Sequence, residues 1–221
     1  MQTFDTPTPI TALLDIPAGR VRFIAADRTD TTVEVLPADP AKSRDTKTAE
    51  RTTVACADGV LRITAPETGN GLLGATGSLD VTVQLPAGSH VEARTASAEL
   101  RCEGRLGDIA FDGAWHHIRI DEAASLRLTA SDGDVEVGRL EGPARISTAR
   151  GHIRIAEAVR GTLTQDTRLG DITVTAAPGV SAALDATTGT GRIANTLKND
   201  GTTALDIHAT TPRGDITARS L

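Results

Sequence analysis

The chain has 221 residues, a net charge of −6, 39% hydrophobic and 24% charged residues, a balance that excludes both a disordered chain and a membrane-embedded bundle. Three Phe, one Trp and no Tyr exclude a core filled by large rings and point to a thin one of Val, Ile, Leu, Ala and Thr, stacked rung upon rung. Acidic overall, with arginines interspersed among carboxylates, the chain has no basic footprint for nucleic acid and nothing to hold it on anionic lipid.

From the N-terminus, Met1–Asp5 has neither the basic nor the apolar region of a secretory signal, and no apolar run approaches ~18 residues, so a cytoplasmic protein is expected. Strands are expected around Arg20–Ala25, Thr32–Leu36, Thr52–Cys56, Val60–Thr64 and Leu79–Leu85, where apolar and polar residues alternate. Ala38–Glu50 is polar and reads as a loop with room for a helical turn; Pro66–Ser78 is a Gly-rich loop. Within it Gly69-Asn70-Gly71-Leu72-Leu73-Gly74 spells G-x-G-x-x-G. The residues after it carry a strand pattern, with no helix N-terminus to hold a pyrophosphate, so no cofactor is expected. Cys56 and Cys102 each follow an apolar residue by two positions, as Val54-x-Cys56 and Leu100-x-Cys102. That spacing predicts two inward-facing free thiols rather than a disulfide.

Beyond residue 100 a short motif recurs: Gly, one polar residue, then a two-sided strand. It appears at Gly107-Asp108-Ile109, Gly133-Asp134-Val135, Gly151-His152-Ile153, Gly170-Asp171-Ile172, Gly191-Arg192-Ile193 and Gly214-Asp215-Ile216. The aliphatic residues are spaced by 26, 18, 19, 21 and 23 positions, and the long first gap reads as an interrupted rung. A second strand lies between the motifs, as in Leu126-Arg127-Leu128, Ala144-Arg145-Ile146 and Leu205-Asp206-Ile207. One such unit cannot bury its own apolar face, but stacked units can. The expectation is a single domain over residues 1–221. It is all-β, a β-solenoid (right-handed β-helix or β-roll-like) of ~20-residue repeats over 101–221, with a less regular strand-rich half over 1–100. An antiparallel β-sandwich is the alternative, because Ser131-Asp132-Gly133-Asp134 would also serve as a hairpin turn.

Chemistry-bearing residues are few. The residue after the corner glycine varies among Asp, His and Arg, which suits a turn acceptor and not a Ca²⁺ ligand; no metal is expected. Trp115-His116-His117, followed by Arg119, Asp121 and Glu122, is the densest cluster and the candidate binding patch. His116 and His117 face opposite sides of a strand and cannot share one metal. Arg119, Arg127, Arg145 and Arg154 each stand between inward aliphatics and point outward, an Arg ladder whose members are expected to pair with neighbouring carboxylates. No nucleophile–base arrangement stands out, and no catalytic residue is expected.

The Pro-Ala-Gly strand entries at Ile16–Val21 and Leu85–Val91, the run Ser78–Pro86 and the repeated Gly-Asp-Ile/Val strands resemble a bacterial putative-adhesin, β-strand-repeat family of unknown function (DUF4097-like), from about Ile10 to Leu221. The resemblance implies a right-handed β-solenoid-like fold with no established enzymatic activity and no catalytic residues to carry over. The functional expectation is a non-enzymatic binding or scaffold protein, working through protein partners or self-association. The last repeat, Gly214–Leu221, lacks a capping helix, and an uncapped rung invites end-to-end association. A carbohydrate-binding or carbohydrate-active β-helix and a surface adhesin are the alternatives.

Overall fold

The computed structural model describes residues 1–66, 77–113 and 117–221. The first part of the chain forms β1 (Gln2–Asp5), β2 (Thr11–Ala26), β3 (Asp30–Pro37), α1 (Ser43–Arg51), β4 (Thr53–Ala57), β5 (Val60–Thr64) and β6 (Leu79–Pro86). The middle forms β7 (His90–Gly113), β8 (Ile118–Asp132), β9 (Val135–Leu140), β10 (Ala144–Arg150) and β11 (Ile153–Ala158). The last part forms β12 (Gly161–Thr167), β13 (Ile172–Ala176), β14 (Ala182–Thr190), β15 (Ile193–Thr196), β16 (Leu205–Arg213) and β17 (Ile216–Ser220). The fold is all-β and β-solenoid-like.

Each rung has two strands, one on each of two faces, joined at a sharp corner. Period-two alternation sends Val135, Val137, Ile153, Ile155, Ile172 and Val174 inward, all of them buried. The inward side chains of the two faces meet in one contiguous apolar core that runs from Ile10 to Ile216. Phe23 and Phe111 are its buried rings among the described residues, so small branched side chains do most of the filling, as the composition requires.

Strand direction, open in the sequence, is parallel along the stack: β8 pairs β10, β10 pairs β12, β9 pairs β11 and β11 pairs β13, all in parallel register. Antiparallel pairing among the described residues is confined to β1–β3, β3–β6 and β4–β5, at one end. The first hundred residues are more regular than expected. β2 is a full rung, paired in parallel with β5 and β6 on one side and β7 on the other. β7 supplies one rung and the first strand of the next, which starts where the Gly107 N–H donates to the Ser89 carbonyl at 2.9 Å. The polar run after Ala38 becomes α1, whose buried Asp45 accepts the Ser78 N–H at 3.0 Å and ties the helix to the start of β6.

Two sequence expectations change. First, the rung at His117 is not interrupted. Gly107-Asp108-Ile109 belongs to the opposite corner, because Ile109 pairs with Leu126 of β8, whereas the partner of Val135 is Ile118. His117 therefore stands in the column of Asp134, and the long gap came from joining two different corners. Second, the last repeat in the chain is not the last rung in the stack. β16 lies between β12 and β14, and β17 between β13 and β15. The outermost rung is β14–β15, and the chain turns back to slide its C-terminal rung inside it. The N-terminal rung β2 is likewise held between β5–β6 and β7.

Candidate functional site

The corners of the stack fix where outward side chains stand. Gly133, Gly151, Gly170, Gly214 and Gly191 form a column with φ between 117° and 158°. A Cβ on Gly151 would lie 2.1 Å from the Gly133 carbonyl oxygen, and one on Gly170, Gly214 or Gly191 would lie 2.0 Å from the next such oxygen. Only glycine lets the rungs close to ~4.8 Å here. Beside it runs a column of side-chain acceptors. Asp134 Oδ1 accepts the His152 N–H (2.7 Å), His152 Nδ1 the Asp171 N–H (3.0 Å), Asp171 Oδ1 the Asp215 N–H (2.8 Å) and Asp215 Oδ1 the Arg192 N–H (2.8 Å).

This column explains why Asp, His and Arg alternate after the corner glycine. Asp and neutral His each offer one lone pair to the next rung's amide. Arg192 offers none, and it sits on the outermost rung, where no further amide follows. Its guanidinium turns back to Asp215 instead, Nη2 to Oδ2 at 3.3 Å. The Arg192 amide and guanidinium hold the Asp215 carboxyl below the usual aspartate range. These residues are the lacing of the corner.

A third column went unrecognised in the sequence. The hydroxyls of Thr167, Thr211 and Thr188 donate to the carbonyls of Gly151, Gly170 and Gly214 at 3.0, 3.0 and 2.9 Å. The readable signal is a Thr three residues before the corner glycine, at 148–151, 167–170, 188–191 and 211–214.

Of the candidate patch, Trp115 and His116 lie outside the described residues, as does the Gly69–Gly74 motif. His117 stands exposed just before β8, Arg119 and Asp121 follow on the outer face of that strand, and Glu122 is half-buried. His117 Nε2 lies 3.7 Å from Glu136 Oε2. Arg119 and Asp121 line a shallow depression of about 230 Å³ with Glu136 and Arg154. Asp121 is partly used, since its Oδ2 accepts the Gly104 N–H at 3.3 Å. The structure thus brings part of the patch together as a flat stripe of alternating charge, not a cleft. No group of three or more His, Cys, Asp or Glu side chains capable of holding a metal occurs among the described residues.

The predicted Arg ladder is divided between the faces. Arg119 and Arg154 flank Glu136 in register on the β9 face. Arg127 and Arg145 are direct neighbours on the β10 face. There they line a shallow groove of about 620 Å³ that crosses successive rungs from Thr11 to Thr164. Expected pairing with carboxylates is not seen: none of the four has an acidic partner within salt-bridge distance among the described residues, and register alone sets Glu136 beside Arg119 and Arg154. Two arginines nearer the N-terminus are gripped. Glu103 takes both Arg22 (2.9 and 2.8 Å) and Arg101 (2.7 Å), and the Arg22 hydrogen bonds hold its carboxyl below the usual glutamate range.

Both cysteines are free. Cys102 is fully buried and its thiol is pushed far up, first by burial and then by the Asp121 charge. Cys56 is only half-buried, because β4 closes one end of the stack and its inner face is incompletely covered. No helix among the described residues is long and apolar enough to cross a membrane.

Stacked two-strand rungs, laced corners and flat outward faces define a β-repeat protein of the solenoid class. The chain matches the family described as Toastrack DUF4097 over residues 14–220. It belongs to that family. No curated protein matches it in sequence. Among solved structures it is similar to a putative adhesin from Bacteroides fragilis, with 15% identity, a TM-score of 0.53, and 100% of this chain and 95% of that one covered. It is also similar to a putative cell adhesion protein from Clostridium sporogenes, at 10% identity, a TM-score of 0.44, and coverage of 100% and 98%. At 15% identity the likeness to the Bacteroides fragilis protein is one of fold.

Proposed function

We propose that the protein is a non-enzymatic binding or scaffold protein, acting through its exposed faces and its open end in contacts with proteins, including a second copy of itself. The observation that carries this is the outer rung. Among the described residues β14 and β15 form ladders only inward, with β16 and β17; the Ala182 N–H at the start of β14 is taken by the Lys198 carbonyl at 2.9 Å, and the rest of the outer edge has no strand partner. β15 is exposed along its whole length, and Ile193 is 47% exposed. Such an edge is a template for another strand. A head-to-head pair of outer rungs would close as a twofold dimer and use both edges.

The test is light scattering across micromolar concentrations with the wild type and Ile193→Pro, which removes a backbone donor that points away from β17. A wild-type dimer that the variant reduces to monomer supports the reading. A strictly monomeric wild type removes its self-association part. A cytoplasmic setting belongs to the same proposal and is supported by two unpaired thiols. Cell fractionation that recovers the protein at the cell surface overturns it in favour of an adhesin.

A further inference from the structure

The outward face of β10 carries a feature that the scaffold reading does not use. Arg127 and Arg145 stand in register one rung apart, and like charges set directly opposite repel. The remaining in-register neighbours are Ala110 for Arg127 and Thr164 for Arg145, neither acidic. Two other arginine stacks in this molecule include an acidic residue. Glu103 clamps Arg22 and Arg101, and Glu136 separates Arg119 from Arg154. At Arg127–Arg145 no protein carboxylate plays that part among the described residues, and the pair lies in the groove of about 620 Å³.

The groove indicates the class of ligand. It runs across the rungs and is lined largely by short side chains, with hydroxyls at Thr11, Ser125, Thr162 and Thr164. Its floor is backbone already paired on both sides in the ladder, so an extended peptide finds no main-chain partners there. A densely charged polymer also fits poorly. Glu92 and Asp108 occupy one end of the groove, and the chain is acidic overall. The chemistry that fits is a hydroxyl-rich chain that is negative at one place only.

We propose that this groove binds an oligosaccharide carrying a carboxylate on one sugar, with that carboxylate held by the forked guanidinium donors of Arg127 and Arg145. Neighbouring sugars lie over the Thr hydroxyls, and Glu92, together with the Asp108 oxygen not engaged by the Ser125 hydroxyl, accepts hydrogen bonds from sugar hydroxyls on the rungs before Arg127. Two guanidinia facing one carboxylate satisfy charge and geometry together.

Calorimetry on the full chain with a hyaluronan trisaccharide, one uronate between two neutral sugars, tests this. A neutral chitin hexasaccharide, heparin and poly-glutamate serve as comparison ligands. The expected result is saturable binding of the hyaluronan fragment alone, weakened at least tenfold by Arg127→Gln and by Arg145→Gln. Arg168→Ala, which removes an exposed charge outside the groove, should leave it unchanged. Circular dichroism and the melting temperature confirm that each variant is folded. Should a Gln variant not fold, Arg127→Lys and Arg145→Lys keep the charge, lose the fork and should still weaken binding. Failure to bind the hyaluronan fragment, equal binding of the neutral fragment, equal or tighter binding of heparin or poly-glutamate, or equal loss in Arg168→Ala each overturns the proposal. None of these outcomes depends on the oligomeric state, so the scaffold reading stands or falls separately.

Discussion

Gln165 is fully buried, and neither its amide nitrogen nor its carbonyl oxygen has a hydrogen-bond partner. It stands in the inward column between Ile146 and Ala209, where an apolar residue of similar size would satisfy every neighbour. Gln165→Leu should therefore raise stability by about 1–2 kcal/mol, seen as a higher urea midpoint with an unchanged slope; a lower midpoint would mean that the amide is hydrated or partnered in solution. The thiols differ in the same way. Burial holds Cys102 in its neutral form, so a thiol reagent should modify half-buried Cys56 first and reach Cys102 only on unfolding. The depressed Glu103 carboxyl has a defined sign: its folded value lies below the unfolded one. Its contribution is thus fully present above the ordinary glutamate range and is lost as pH falls through the folded value. An NMR titration should show Glu103 returning to the ordinary range in Arg22→Gln.

At the scale of the element, the corner makes the stack possible and sets its tolerance. Gly151 has φ of 134° with the Gly133 carbonyl directly against its α-carbon face, whereas Gly59, φ 72°, has nothing within 4 Å of an added Cβ. Gly151→Ala must open the ladder as well as strain the backbone, and should cost about 3 kcal/mol or more. Gly59→Asn should cost about 1 kcal/mol or less, because Asn tolerates the left-handed region in open space. Chemical denaturation of both variants separates the two mechanisms; equal losses would show that the close approach of the rungs is unimportant. These corners were largely legible in the sequence. Gly followed by Asp or His could be read as a turn with a side-chain acceptor. The reason Arg192 is tolerated was not, since it depends on that rung having no neighbour beyond it.

For the whole molecule, the order of rungs matters more than their number. Because β16 and β17 lie inside β14 and β15, ending the chain after Ala204 removes the second rung from the end and strands the outermost one. Hydrogen exchange on that truncated protein should show β14 and β15 unprotected while β8–β11 keep their protection. If β14 and β15 instead re-pair with β12 and β13, protection will persist, and the inserted rung is dispensable.

Period-two alternation, the recurrent glycines and the scarcity of aromatics were sufficient, without coordinates, to define stacked strands, a thin aliphatic core and turn chemistry at the corners. All three follow from local sterics and from which face each side chain must take. Which corner a given Gly-Asp belongs to, and which rung lies against which, were decided only by the tertiary structure. Every rung has nearly the same length and the same apolar pattern, so sequence carries almost no energetic difference between stacking in chain order and stacking with an end folded in. The same holds for charge: Arg119, Arg127, Arg145 and Arg154 are indistinguishable in sequence. Register across the rungs gives Arg119 and Arg154 a carboxylate and leaves Arg127 and Arg145 facing each other.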